Sequence, residues 1–263
     1  MPSLLLELCA GGIDDVQLAA DLGVDRIELN SGMPLGGLTP SAGLVLESLA
    51  VYSGPIICML RPREGGFRYS SCELRQMFRD AEWMLAAGVA GIAAGFLDAS
   101  GNVDTQLCGR LRQICGVREF VFHKAFDWTL NLSDSLQSLI DSGVDRILTS
   151  GGKPTAVAGA LTLRKLINES RNRVQILAGG GIQADNLRQL LEQSGCRQVH
   201  AGLRELMETE PQPGLLHFGV PGSGPQSYSR TAPQKLRELA AAIRSYNPDD
   251  LAHFSGGGFG GRC

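Results

Sequence analysis

GVDRIEL, residues 23–29, and GVDRILT, residues 143–149, carry the same five-residue string 120 positions apart. In each copy a helix-like apolar segment runs into the glycine, as a helix C-cap prefers, and a short strand-like run follows. A looser third copy, LAAGVAGIAAG, spans 85–95. Working outward, strand-like runs recur at 4–8, 25–29, 55–60, 89–94, 119–124, 145–150, 173–178 and 197–201, eight in all. Helix-length segments with apolar residues at three- and four-residue spacing separate them. That alternation implies parallel strands joined by right-handed crossovers. The 120-residue offset equals four strand–helix units, half of an eight-unit ring. The reading is therefore α/β, a single-domain (β/α)8 TIM barrel over residues 1–247. The alternative, an open doubly wound sheet, calls for a nucleotide fingerprint at the first turn, and CAGGID (9–14) has no GxGxxG. Residues 204–230, rich in Pro, Gly and Ser, stand outside the alternation. PQKLRELAAAIRSY (233–246) supplies the eighth helix, and the Gly-rich end, 248–263, is expected to be disordered.

Composition narrows the function. The chain is 43% hydrophobic and 19% charged, as soluble globular proteins are. A net charge of −3 and no long Lys/Arg run leave no electrostatic footprint for nucleic acid. No apolar run reaches the length of a membrane span, and Glu7 interrupts the first apolar stretch, so neither a membrane helix nor a signal peptide is expected. Seven cysteines, odd in number and without a CxxC pair, suit free thiols in a reducing cytoplasm.

Parallel strands are covered on both faces, so a charge within one must point into the barrel and find a partner. Strand parity puts Glu7 and Cys9 on one inner face, Arg26, Glu28 and Asn30 on the next, and Met59 with Arg61 on a third. His123, in FVFHKAFDW (120–128), and His200 end strands five and eight, and Asp127 reaches in from a loop. Lys124 has the opposite parity and should lie outward or packed. Six of these residues, Glu7, Glu28, Arg61, His123, Asp127 and His200, are the candidate catalytic set at the C-terminal rim, where barrel chemistry collects. Buried ion pairs, Arg26 with Glu7 or Glu28, are the structural alternative. The turn LAGGGIQADN (177–186), with TSGGKP (149–154) and AGLR (201–204), offers backbone N–H groups to an anion. The candidates there are Gly151, Gly180, Gly181, Ile182 and Gly202. Cys9 and Met59, with His123 and His200 as borderline donors, suit Cu(I) or Zn.

RIELN (26–30) with GGLTPS (36–41), MLRPR (59–63) with FRYS (67–70), FHKAFD (122–127), RILTSGG (146–152) and LAGGGI (177–182) together resemble the CutC family, over roughly residues 4–204. The resemblance implies a TIM-barrel copper homeostasis protein, cytoplasmic and homo-oligomeric, that binds Cu(I) through cysteine. It also implies a departure: the family commonly reads RIELC, and Asn30 stands in place of that thiol. FHKAFD departs from the more usual FHRAFD at Lys124, and the RPREGGF loop (61–67) departs too. Cys9, one strand away, then becomes the inner thiol, with surface cysteines such as Cys108 as another metal-binding possibility. The competing function is an enzyme acting on a small phosphorylated or carboxylated substrate, with His123 or Glu28 as acid or base and Arg61 holding the anion through a bidentate fork.

Overall fold

A computed structural model describes residues 4–208 and 227–246. Eight parallel strands close into a barrel in chain order: β1 (Leu5–Ala10), β2 (Arg26–Leu29), β3 (Ile56–Met59), β4 (Gly91–Ala94), β5 (Glu119–Phe122), β6 (Arg146–Thr149), β7 (Gln175–Gly179) and β8 (Gln198–Ala201). The ring closes because β1 pairs with β8, setting Glu7 against His200. Outside lie α1 (Ile13–Leu22), α2 (Ala42–Val51), α3 (Ser71–Ala87), α4 (Thr105–Cys115), α5 (Leu132–Asp141), α6 (Ala160–Ser170), α7 (Ala184–Ser194) and α8 (Pro233–Ser245). The two GVDRI copies open β2 and β6, four strands apart and so on opposite sides of the ring. The expected tail, 248–263, lies outside the described residues.

The helices form where their apolar stripes and caps require. In α3, Ser70 and Glu73 make a capping box, and Met77, Phe78, Ala81 and Met84 line the face turned to the sheet. In α4, Cys108, Leu111 and Cys115 make the same kind of stripe, so Cys108 is fully buried. The expectation of Cys108 as a surface thiol is corrected by that helical periodicity; among the described residues the exposed cysteine is Cys72.

Hydrophobic burial is divided between two layers. The large one lies between sheet and helices, and each fully buried Leu, Ile or Phe in it contributes on the order of 1.5–3 kcal/mol. The small one is a plug inside the barrel: Ile57, Met59, Ala93 and Val121. It fills only the side made by β3, β4 and β5, and the opposite interior is polar. There the Arg26 guanidinium ion-pairs with Glu7 and also donates to Gln198 (2.9 Å). Arg146 binds Glu119 (2.7 Å), Gln175 and Gln198 (both 3.1 Å).

Between β8 and α8 the sequence reading expected only irregular chain. Two antiparallel strands are present instead, β9 (Arg204–Glu208) and β10 (Ser227–Thr231). Asp15, buried on α1, fastens this ribbon to the barrel. It accepts from Arg204 (2.5 Å) and from the N–H groups of Thr231 (2.7 Å) and Gly11 (2.7 Å).

Candidate functional site

Strand ends β1, β2 and β8 bring Cys9, Glu28 and His200 together at the mouth. One donor atom from each lies within 4.8 Å of the others, and all three residues are buried. The register makes this possible, since Cys9 stands beside Glu28 on β2 and Glu7 stands beside His200 on β8. Glu7 Oε1 binds His200 Nδ1 (2.8 Å), which orients the imidazole and leaves Nε2 for another partner. Asn30 Nδ2 donates to Cys9 Sγ (3.4 Å) and to Glu28 Oε1 (3.1 Å). The amide therefore supports both donors, while its oxygen faces Gly37. Glycine is required there, because φ is +85° and a Cβ would meet Asn30 Oδ1 at 2.5 Å.

The electrostatics follow from burial and from these partners. Burial alone would raise Glu7, but the His200 hydrogen bond and the Arg26 charge outweigh it and hold the carboxyl down at about 2. Burial raises Glu28 and also Cys9, so the thiol keeps its proton. Burial works against a charge on His200, yet Glu28, Cys9 and Glu7 lift it well above the ordinary imidazole value. The group therefore holds protons that a metal ion would displace.

Arg61 and His123 stand apart from that group. Arg61 Nη1 donates to the carbonyls of Leu35 (3.1 Å), Gly36 (3.2 Å) and Gly37 (3.3 Å), and Nη2 to that of Gly65 (2.9 Å). The expected bidentate fork is thus engaged with two loops, and only Nε is without a partner. His123 packs on Phe67 with ring centroids 5.0 Å apart, and the Arg61 guanidinium sits 5.2 Å from the same ring. Met59 belongs to the apolar plug. The expected single pocket is therefore two groups, joined by the Gly36–Gly37 turn that contacts both Asn30 and Arg61.

Asp127 is also engaged. It accepts from Thr149 Oγ1, from the N–H groups of Ser150 (3.0 Å) and Gly152 (2.9 Å), and from Ser150 Oγ (3.0 Å), and it ion-pairs with Lys124 (3.1 Å). The TSGG turn is thus a nest whose anion is the chain's own carboxylate. Lys124, on the 3-10 turn after β5, is half exposed but does not face outward: its Nζ donates to Ser150 Oγ (2.9 Å) beside Asp127 and lies near Gly180, so it packs over the turns that follow β6 and β7.

Among the candidate anion binders, Gly151 donates its N–H to Thr149 Oγ1 (2.9 Å) and the Gly180 carbonyl accepts from Ala156 (2.9 Å). Gly181, Ile182 and Gly202 line a cavity of about 280 Å³ with Arg204 and Lys235. The sequence reading missed Arg146, Asp15 and the supporting role of Asn30. Arg146 was legible, because it occupies the Arg26 position of the repeat.

The comparisons agree on the family. The CutC family model matches residues 4–204. A CutC family protein of Treponema denticola is 38% identical over 223 residues, covering 84% of this chain and 91% of that one. The human copper homeostasis protein cutC homolog is 35% identical, covering 78% of this chain and 75% of its own. A crystal structure of CutC from Streptococcus agalactiae superposes with a TM-score of 0.71 at 28% identity, covering 75% of this chain and 97% of that one. No helix of the described residues is long and apolar enough to cross a membrane. With the family model and these relatives covering most of the barrel, the chain belongs to the CutC family.

Proposed function

We propose that this protein handles copper in the manner its family name implies, taking the ion as cargo at Cys9 and His200 with Glu28 beside them. The observation that carries the reading is the buried Cys9–Glu28–His200 group, with its donor atoms within 4.8 Å of one another. The donors fit the ion. A thiolate and an imidazole satisfy two-coordinate Cu(I), and the Glu28 carboxylate adds the harder donor that a divalent ion would use. Glu7 supplies the carboxylate that metal-binding histidines usually carry on their second nitrogen. The Asn30 amide nitrogen is a donor of hydrogen bonds and contributes no ligand. Copper uptake releases the Cys9 proton and the His200 proton, so affinity rises with pH. A competition titration against a Cu(I) chelator tests the reading. Binding that survives both Cys9→Ser and His200→Ala would sink it.

Free thiols support a reducing, cytoplasmic setting: the described cysteines are all unpaired and only Cys72 is exposed. Homo-oligomerisation rests on the family resemblance, and sedimentation velocity decides it.

A second reading, an enzyme acting on a small phosphorylated or carboxylated substrate, is favoured by the 280 Å³ cavity at Gly181, Ile182 and Gly202. Lys235 brings a positive charge to that cavity, and Arg204 beside it is neutralised by Asp15. Phosphate bound there in crystals, with turnover of a phosphorylated compound, would establish it.

A further inference from the structure

The second polar group at the mouth has an incomplete charge balance. Arg61 is 7% exposed, and its partners are carbonyl dipoles of Leu35, Gly36, Gly37 and Gly65. Among the described residues no carboxylate forms an ion pair with it. A buried cation without a counter-ion is costly to maintain, and sites that keep one normally have an anion to receive.

The hydrogen-bond inventory points the same way. His123 Nδ1 accepts the Ala125 N–H (3.1 Å). Burial, then the Arg61 charge, push its pKa down to about 3, so at neutral pH the ring is uncharged and its one proton sits on Nε2. That Nε2–H makes no hydrogen bond among the described residues, and neither does Arg61 Nε. The Tyr69 hydroxyl is buried against the same guanidinium and has no hydrogen-bond partner other than Arg61 among the described residues. Gly95 leaves room for the imidazole, since a Cβ there would meet His123 Cε1 at 2.4 Å. Phe67 forms a flat wall shared by Arg61 and His123, and Trp128 packs edge-on against it at 5.7 Å.

We propose that Arg61, His123 and Tyr69, against the face of Phe67, form a binding subsite for the carboxylate of a small organic acid. The net charge there is one positive unit, from Arg61, and a carboxylate returns it to zero. A phosphate dianion would leave a buried negative charge. Two unbonded donors, Arg61 Nε–H and His123 Nε2–H, with the Tyr69 O–H whose oxygen is held by the guanidinium, suit a planar two-oxygen anion lying beside an aromatic ring. The subsite lies outside the Cys9–Glu28–His200 group and outside the cavity at Gly181, Ile182 and Gly202, and so goes beyond both readings above.

The test is an NMR titration that follows the His123 imidazole while sodium acetate, glycolate or lactate is added, with phosphate and chloride as comparators at equal ionic strength. The expected result is a saturable shift of the His123 Nε2–H with at least one carboxylate and none with the comparators. Adding a copper chelator leaves the shift unchanged. Followed instead on the Phe67 ring signals, His123→Phe weakens binding about tenfold, as loss of one hydrogen bond to a charged group does, and Tyr69→Phe provides the same check if that variant folds poorly. No shift with any carboxylate, an equal response to phosphate or chloride, or unaltered affinity in a folded variant would overturn the proposal.

Discussion

Residues 21–30 and 141–150 have the same residue-by-residue pattern of exposure, on opposite sides of the barrel. Gly23 and Gly143 end their helices with φ of 63° and 74°, and Val24 and Val144 close back on Ala19 and Leu139. Asp25 accepts the N–H of Leu6 (2.8 Å) at the start of the preceding strand, and Asp145 accepts that of Phe120 (2.7 Å) in the same way. Arg26 and Arg146 both turn inward and both reach Gln198. Two residues later the copies part. β2 leads to Glu28 and Asn30, beside Cys9 and His200, whereas β6 leads to Leu148 and Ser150, and its turn closes around Asp127. The lesson is directional. The repeat is kept where strands begin and the barrel is held together, and it diverges where strands end and ligands bind.

The largest effect should come from the shared end. Arg26→Ala leaves Glu7, 1% exposed, with His200 as its one remaining ion-pair partner, and the expected loss is about 3 kcal/mol, the lower end of the cost of breaking a buried pair. Arg146→Ala should cost less, about 1–3 kcal/mol, because its partner Glu119 is 38% exposed and can be hydrated. Urea unfolding of both variants measures the pair, and equal losses would break the distinction between the two halves.

The upper rim should show itself in acid. The folded-state pKa of His123 lies at about 3, below the ordinary 6.5, so the unfolded chain binds that proton first. Stability from this group is full above pH 6.5 and declines as pH falls toward 3, by at most ~1.4 kcal/mol per unit. Glu7, held at about 2, adds a further decline only below about 4.5. His123→Phe should remove the part between pH 6.5 and 4.5 relative to the parent. An unchanged acid limb would show that the imidazole is charged in the folded protein.

A smaller effect is expected where the copies diverge most. Asn30→Cys adds a second sulfur next to Cys9 and should tighten Cu(I) binding about tenfold or more, or ~1.4 kcal/mol, while costing about 1 kcal/mol of stability through the lost hydrogen bonds to Glu28. Ser150→Cys, at the equivalent place on β6, should leave copper affinity unchanged. The smallest effect tests the sameness of the halves again. Asp25→Ala and Asp145→Ala each remove one part-buried hydrogen bond to a strand N–H, at about 1 kcal/mol apiece, and Asp145→Ala also removes the half-exposed ion pair with Arg112 (2.5 Å), worth at most about 1 kcal/mol more. A gap of more than about 1 kcal/mol between them would mean that the two copies carry different loads.

Much of the scaffold was legible from residue type and order. GVDRI contains its own instructions: a glycine to end a helix, a valine to close the turn, an aspartate to bond the neighbouring strand, and an inward arginine. Parity alone placed Cys9, Glu28, Arg61, His123 and His200 inside, since a strand has only two faces. The β9–β10 ribbon was not legible, because polar residues such as Arg204, Glu205, Ser227 and Ser229 carry no alternating apolar pattern.

What the sequence by itself determined was the eight-unit barrel, the inward set of polar residues and the family. Local rules suffice for these, because helix caps, strand parity and repeat spacing depend on near neighbours in the chain. Only the tertiary structure decided which polar groups meet. Glu7 is shared by Arg26 and His200 because β1 closes against β8, almost two hundred residues away. Arg61 is drawn to the carbonyls of the Gly36–Gly37 turn, and Asp127 fills the nest after β6. Each is a choice among several possible partners, and the register of a closed barrel makes that choice.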